Sequence, residues 1–270
     1  DLDGTLLDDD KNIPAENKEI LKKLLDKGYE IVIATGRRYW SAKMFIKDIN
    51  NDLVILANNG TIVRESKNDK VLMEKYMEPR DYHILVEEGK IKGLYPIVHV
   101  NEYNNGYDIV IELDKKNEKY NNYLYKDPKR HRQVEDITKL KDPKVLTVVF
   151  IGEKEELEEL YLDINKKYPR KYSSHIMHNI TSANGLLEVM HPEGCKWLSL
   201  REYARGKGIL ENEIITIGDD NNDIEMLKKA GLGIAMKNGT EVVRKYADII
   251  TEKNNNEGGL AYILDKVLEV

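Results

Sequence analysis

Four short apolar runs alternate with helical patterns at the two ends of this chain, and they restrict the fold more than any other feature. They are YEIVIATGR (29–37), LVILANNG (53–60), EIITIGDD (213–220) and LGIAM (232–236). An apolar run of this length, closed by Gly or Asn, suits a strand buried on both faces, as parallel sheets require. Parallel neighbours need a crossover helix. Such helices are expected over 11–25, from Ile13, Ile20, Leu21, Leu24 and Leu25, and over 40–49. Pro14 suits a first helical turn and Gly28 a stop. After Pro192 further helices are expected over 195–205, 223–229, 241–246 and 260–268, with a last strand in ADIIT (247–251). The expected fold is α/β, with ligands gathered at the carboxyl ends of the strands.

The pattern changes between these ends. Residues 61–76 read as a hairpin around Lys67-Asn68-Asp69, and 80–89 and 153–168 as helices. LYPIVHV (94–100) and YDIVIEL (107–113) alternate as half-buried antiparallel strands do; KVLTVVFIG (144–152), IMHNITS (176–182) and LLEVM (186–190) are also strand-like. The simplest organisation is a core of residues 1–59 and 191–270, interrupted by an α+β insert of residues 60–190.

The opening run DLDGTLL then acquires meaning. Asp1 is expected at the end of a central strand, which places an apolar strand upstream of it; an intact mass with nothing before Asp1 would count against this topology. Asp1 and Asp3 are two carboxylates that can divide one reaction. Asp1 can attack phosphorus as a nucleophile, and Asp3 can act first as general acid and then as general base. Gly4 permits a tight turn that points the backbone N–H groups of Leu2 and Asp3 inward, and the Thr5 hydroxyl can fix that turn. Thr35 and Gly36 end a buried strand, where a hydroxyl and a free N–H can hold a phosphoryl oxygen; Thr35 also suits a helix N-cap. Lys196 opens a helix and can neutralise both Asp1 and the transferring phosphoryl group, or stand as one more surface lysine.

GDDNND (218–223) brings a second acidic cluster. Asp219 at a strand end is costly without a cation. Mg²⁺ takes one or two carboxylates with waters and phosphate oxygens, and Asp1, the Asp3 carbonyl and Asp219 could supply three positions. Asn222 could bond the phosphate, and Asp223 could hold a metal-bound water or orient Lys196. The same residues also suit an acidic helix cap. A Ca²⁺ loop lacks its distal Glu. Cys195 has no evident histidine base and suits packing.

Taken together, DLDGTL, T-G-R, the lysine and G-D-x-x-N-D resemble the haloacid dehalogenase-like (HAD) phosphatase superfamily, and the long insert resembles its Cof-like subgroup with large α+β caps. The resemblance implies a Rossmann-like core, Mg²⁺ dependence and hydrolysis of small phosphomonoesters through an aspartyl-phosphate. It matches Asp1 to the nucleophile and a metal ligand, Asp3 to the acid/base and a carbonyl ligand, Thr35, Gly36, Lys196 and Asn222 to phosphate contacts, and Asp219 to the metal. Dehalogenating members lack the second aspartate, so Asp3 argues against that chemistry. Gly-Cys stands before Lys196 where a hydrophobic residue and Ser or Asp are usual.

The substrate expected is a small phosphorylated metabolite, a sugar phosphate first, with flavin mononucleotide and pyridoxal phosphate also compatible. The insert is expected to close over the core and contact the leaving group; candidate contacts are Asn59 at the hinge and insert residues such as Tyr95, His99 or Tyr107, each of which equally suits a structural or exposed position. A phosphomutase using the same aspartyl-phosphate and a non-catalytic metabolite-binding regulator are the alternatives. The chain has 270 residues and a formal charge of −6, which disfavours non-specific nucleic-acid binding. No run approaches the ~20 apolar residues that cross a bilayer. One cysteine fits a reducing cytoplasm. A monomer or weak homo-oligomer is expected.

Overall fold

A computed structural model describes residues 1–47, 49, 52–112, 130–180 and 183–269. The chain divides into two compact units, Asp1–Glu74 with Cys195–Val270, and Lys75–Gly194. The division falls later than the expected end of the first core segment at residue 59. Strand β2 (Val54–Ala57) pairs antiparallel with β3 (Ile62–Glu65), and β3 with β4 (Val71–Glu74). The hairpin therefore extends the sheet of the first unit, because backbone pairing outranks the change in residue pattern that marked 60 as a boundary.

In the first unit, β1 (Val32–Ala34) runs parallel to β2, giving the order β1-β2-β3-β4. A second sheet pairs β11 (Ile215–Gly218), β12 (Leu232–Ala235) and β13 (Ile249–Ile250) in parallel. Asp1 lies in no strand among the described residues; Asp3 makes only an isolated parallel bridge to Leu7. The Asp1 amino group donates to the Ile217 carbonyl of β11 at 3.0 Å, and a turn follows in which the Leu2 carbonyl accepts the Thr5 and Leu7 N–H groups.

Helix α1 (Ala15–Asp26) buries Ile20, Leu21 and Leu24, as its spacing requires, with Pro14 as N-cap. It packs against α8 (Gly259–Leu268). The amide of buried Asn17 donates to the Leu6 carbonyl and accepts the Ala261 N–H, joining both helices to the turn that carries Asp3. Helix α5 (Lys196–Gly206) places Trp197, Leu200, Tyr203 and Ala204 against Ala34, Val54, Leu56 and Val63. Each large apolar side chain buried this way stabilises by roughly 1.5–3 kcal/mol. Its anchorage matters because the first residue of α5 is Lys196.

The second unit carries a sheet of order β7-β6-β5-β8-β10-β9 among the described residues. Its strands are β5 (Pro96–Val100), β6 (Ile109–Ile111), β7 (His131–Gln133), β8 (Val145–Ile151), β9 (Ser173–Ile180) and β10 (Ala183–Met190). Helices α3 (Pro79–Ile91) and α4 (Lys154–Lys167) contribute Tyr82, Leu85, Val86, Leu157, Leu160 and Ile164 to the core with Val98, Val148, Phe150 and Leu187. A separate cluster holds Ile97, Ile109, Ile111, Val149, Ile151 and Leu186. So β5 and β6 are buried at every residue, not half-buried as their alternation suggested. His99, a candidate contact for the leaving group, is 2% exposed. The ends of two expected strands, at 113 and at 181–182, lie outside the described residues.

Candidate active site

Parallel strands bring polar residues together at their carboxyl ends. β1 ends at Ala34, so Thr35, Gly36 and Arg37 follow directly; β2 ends at Ala57 before Asn58, Asn59 and Gly60; β11 ends at Gly218 before Asp219. The Thr35 and Asn59 strand ends are tied by an Asn59 N–H bond to the Thr35 carbonyl at 2.9 Å.

Lys196 is the centre of the arrangement. Its Nζ donates to Asp1 Oδ1 and to Asp223 Oδ1, each at 2.7 Å, and its side chain is fully buried. The surface-lysine alternative is thereby removed. An ammonium buried among apolar neighbours is stable only when paired in this way. Asp223 Oδ2 accepts the N–H groups of Asp219 and Asp220. The acidic-cap reading is therefore also correct locally: Asp223 caps its own turn with one oxygen and holds Lys196 with the other. Burial works to raise the Asp223 carboxyl, but the adjacent ammonium outweighs it and holds the group below its ordinary value.

Carboxylate oxygens of Asp1, Asp219 and Asp223 lie within 4.8 Å of one another. Burial, then the charges of Asp223 and Asp220, push the Asp219 carboxyl up to about 7. The Thr5 hydroxyl donates to Asp219 Oδ1 at 3.1 Å, so Thr5 joins two motifs as well as fixing its own turn. Gly4 has φ +71, and a Cβ there would overlap the Asp219 carboxylate. Turn geometry and close approach both require glycine. Three carboxylates facing one ammonium leave an excess of negative charge, and hard divalent cations take carboxylate oxygens. The donor set fits Mg²⁺. With both Asp223 oxygens engaged, Asp1 and Asp219 are the carboxylates best disposed to hold it.

Asp3 lies in the opposite environment. Its carboxylate accepts from Arg37 Nε at 2.5 Å, Arg37 Nη2 at 2.7 Å and Lys11 Nζ at 2.8 Å. Burial opposes ionisation, but these bonds win and hold the carboxyl at about 2. The guanidinium is itself fixed by Ser41 and by stacking 4.6 Å from the Phe45 ring centroid. From the sequence alone Arg37 could face either substrate or solvent, and nothing there singles out Lys11. No periodicity marks a contact made by a left-handed Lys11 (φ 65) folding back on its own turn.

Thr35 is 1% exposed, and its hydroxyl oxygen accepts the Arg37 N–H at 3.1 Å. It does not cap α2 (Tyr39–Ile46), whose N-cap is Arg38. Gly36 faces the carboxamides of Asn59 and Asn222; a Cβ there would stand 3.4 Å from Asn59 Oδ1 and 3.6 Å from Asn222 Nδ2. Asn222 thus reaches the Thr35-Gly36 turn. The Leu2 side chain is wholly buried, leaving only its backbone to serve a ligand. Asn238 was also not singled out; its Nδ2 donates to the Gly4 carbonyl at 2.7 Å and its Oδ1 accepts the Asn255 N–H. Cys195 packs beside the α5 core as expected. In the second unit, Tyr95 is exposed, His99 is buried and Tyr107 packs on the helix-side core.

No helix among the described residues is long and apolar enough to cross a membrane. The chain is 25% identical over 288 residues to a 5-amino-6-(5-phospho-D-ribitylamino)uracil phosphatase of Bacillus subtilis, covering 99% of this chain and 96% of that protein. It is 26% identical over 276 residues to a phosphatase of the same description from Escherichia coli, covering 100% and 94%. A crystal structure of a haloacid dehalogenase-like hydrolase from Bacteroides thetaiotaomicron superposes with a TM-score of 0.81 at 26% identity, over 98% of this chain and 97% of that one. The model of the haloacid dehalogenase-like hydrolases matches residues 1–264. With that match over nearly the whole chain, and with Lys196 bonded to both the first and the last acidic motif, the chain belongs to the haloacid dehalogenase-like hydrolase family.

Proposed function

We propose that the chain is a Mg²⁺-dependent phosphatase that hydrolyses small phosphomonoesters through an aspartyl-phosphate on Asp1. The observation that carries this reading is Lys196 held between Asp1 and Asp223 at 2.7 Å, beside Asp219. A nucleophilic carboxylate and a phosphate repel each other, and the buried ammonium offsets that repulsion where the new bond forms. Asp1, Asp219 and the Asp3 carbonyl would hold Mg²⁺, which when bound neutralises charge on the phosphoryl oxygens.

The steps follow from the residues. An Asp1 oxygen attacks phosphorus, the bond from phosphorus to the leaving oxygen breaks, and that oxygen takes a proton from Asp3. Water then attacks phosphorus, Asp3 accepts its proton, and the bond to Asp1 breaks to give inorganic phosphate and the free carboxylate. Thr35, Gly36, Asn222 and the Leu2 N–H orient the phosphoryl oxygens. Clasped by Arg37 and Lys11, Asp3 is ionised and suited to the second step. To serve as acid in the first, it must leave that clasp and acquire a proton.

The insert is proposed to select the leaving group. The relatives named as 5-amino-6-(5-phospho-D-ribitylamino)uracil phosphatases support a substrate with a phosphorylated sugar or polyol chain for this chain. The test is a phosphomonoester panel with Mg²⁺, ranked by kcat/KM. Phosphate release from polyol and sugar phosphates is expected. Isomerised sugar phosphate without phosphate release would replace hydrolysis by a mutase, and inertness across the panel would point to a binding protein.

A further inference from the structure

The turn Asn58–Gly60 carries a cost that its role in chain reversal does not explain. All three residues have positive φ, at 48, 55 and 86 degrees, and Asn58 and Asn59 are 2% and 0% exposed. Left-handed backbone at residues other than glycine is uncommon and costs stability. Glycine would be the cheaper choice at position 59 unless the side chain is needed.

The turn meets three other segments of the site. The Asn58 N–H donates to the Arg37 carbonyl and the Asn59 N–H to the Thr35 carbonyl, both at 2.9 Å. Ser199, on the helix that begins with Lys196, donates its hydroxyl to the Gly60 carbonyl at 2.7 Å. Asn222 Nδ2 donates to Asn59 Oδ1 at 3.0 Å, across 163 residues of sequence. An amide nitrogen carries two hydrogens. Giving one to Asn59 sets the plane of the Asn222 carboxamide and the direction of the other, beside the Thr35-Gly36 turn.

We propose that Asn59 is a positioning residue for phosphate recognition: its carboxamide orients Asn222 toward a bound phosphoryl group, and the left-handed turn exists to deliver it there. The inference deepens the phosphatase reading and rests on it for the identity of the ligand. It assigns Asn59 no contact with substrate and no part in bond making. Its effect is therefore on phosphate affinity and KM, with kcat changing less.

The test uses N59G, which keeps the left-handed turn and removes the carboxamide, with N222A and the double variant. Binding of inorganic phosphate in the presence of Mg²⁺ is read by calorimetry, thermal unfolding is recorded for each protein, and hydrolysis is measured in parallel. N59G is expected to weaken phosphate binding and raise KM about tenfold. The double variant is expected to bind no more weakly than N222A, because Asn59 acts only through Asn222. Unchanged affinity in N59G, or losses that multiply in the double variant, overturns the proposal. Should N59G fold too poorly to assay, N59A also removes the carboxamide acceptor while restricting the backbone, and unchanged phosphate affinity in N59A overturns the proposal equally. A wild-type protein that hydrolyses nothing yet binds phosphate in this Asn59-dependent way removes the phosphatase reading and leaves this one standing. An active wild type with an unchanged N59G does the reverse, and a wild type that binds no phosphate ends this inference.

Discussion

Two patches of one turn carry opposite charge balance. Around Asp3, two cations clasp one carboxylate and hold it at about 2. Around Asp219, three carboxylates share one ammonium, and the Asp219 carboxyl is pushed up to about 7. Asp1 and Asp3 are separated by a single residue, yet they face these two environments. The difference teaches that the DxD spacing is a device for splitting functions. A fully extended segment would set residues i and i+2 on one face. Here the chain turns directly after Asp1, with the Leu2 carbonyl accepting the Thr5 and Leu7 N–H groups, and the turn carries Asp3 into the cation-rich patch while Asp1 stays in the cation-deficient one. The cation-deficient patch carries an excess of negative charge that suits a divalent cation; the cation-rich patch carries an excess of positive charge.

The largest expected effect comes from Asp1. Asp1→Asn keeps the shape and removes the nucleophile, and turnover is expected to fall by about 10⁴-fold or more, with the unfolding transition little changed. Near-normal hydrolysis by this variant would break the division of labour. Lys196→Met attacks the same patch through stability. Removing one partner of a buried charge cluster costs roughly 3–5 kcal/mol. Urea denaturation should record that loss without metal, and a smaller one with Mg²⁺, since a dication offsets the same carboxylates. Equal losses in both conditions would mean that metal and ammonium do not share a site.

The pH dependence sharpens the contrast further. Asp219 in the folded chain keeps its proton until about pH 7, above its unfolded value. The folded state therefore binds the extra proton between about pH 4 and 7. As pH rises through that window, metal-free stability should fall by this group's contribution. Metal requires the ionised form, so Mg²⁺ binding should release protons at pH 6 and few at pH 8.5, with affinity weakening as pH falls. Asp219→Ala should abolish that proton release and raise the Mg²⁺ requirement steeply. Calorimetry in buffers of different ionisation enthalpy reads the proton count.

The smallest effect belongs to the cation-rich patch. Arg37→Ala removes the bidentate partner of Asp3, and its carboxyl should rise toward the ordinary carboxylate range. The acidic limb of the kcat profile, set by ionised Asp3 as the base of the second step, is expected to move to higher pH, with activity at pH 7 changed by less than about tenfold. An unmoved limb would detach Asp3 from the proton transfers.

Much of this was legible in residue order. The apolar runs ending at Ala34, Ala57, Gly218 and Ala235 are strands because their side chains suit burial on both faces. The polar residues that follow them gather because parallel strands end together. Local pattern did not place the 62–74 hairpin, which joins the first sheet through backbone bonds that any sequence can make. It also misread β5 and β6, where His99 is polar yet buried. The Asp3 clasp and the bond from Asn222 to Asn59 were invisible for another reason. They join residues distant in sequence through single side chains, and nothing periodic announces such a contact.

The central claim is that hydrolysis proceeds by two displacements at phosphorus, the first by Asp1. The stereochemical outcome with a phosphomonoester made chiral by oxygen isotopes tests it most directly. Two in-line displacements invert twice, so retention at phosphorus is expected; inversion would mean that water attacks the substrate without a covalent enzyme intermediate, and would contradict the role assigned to Asp1.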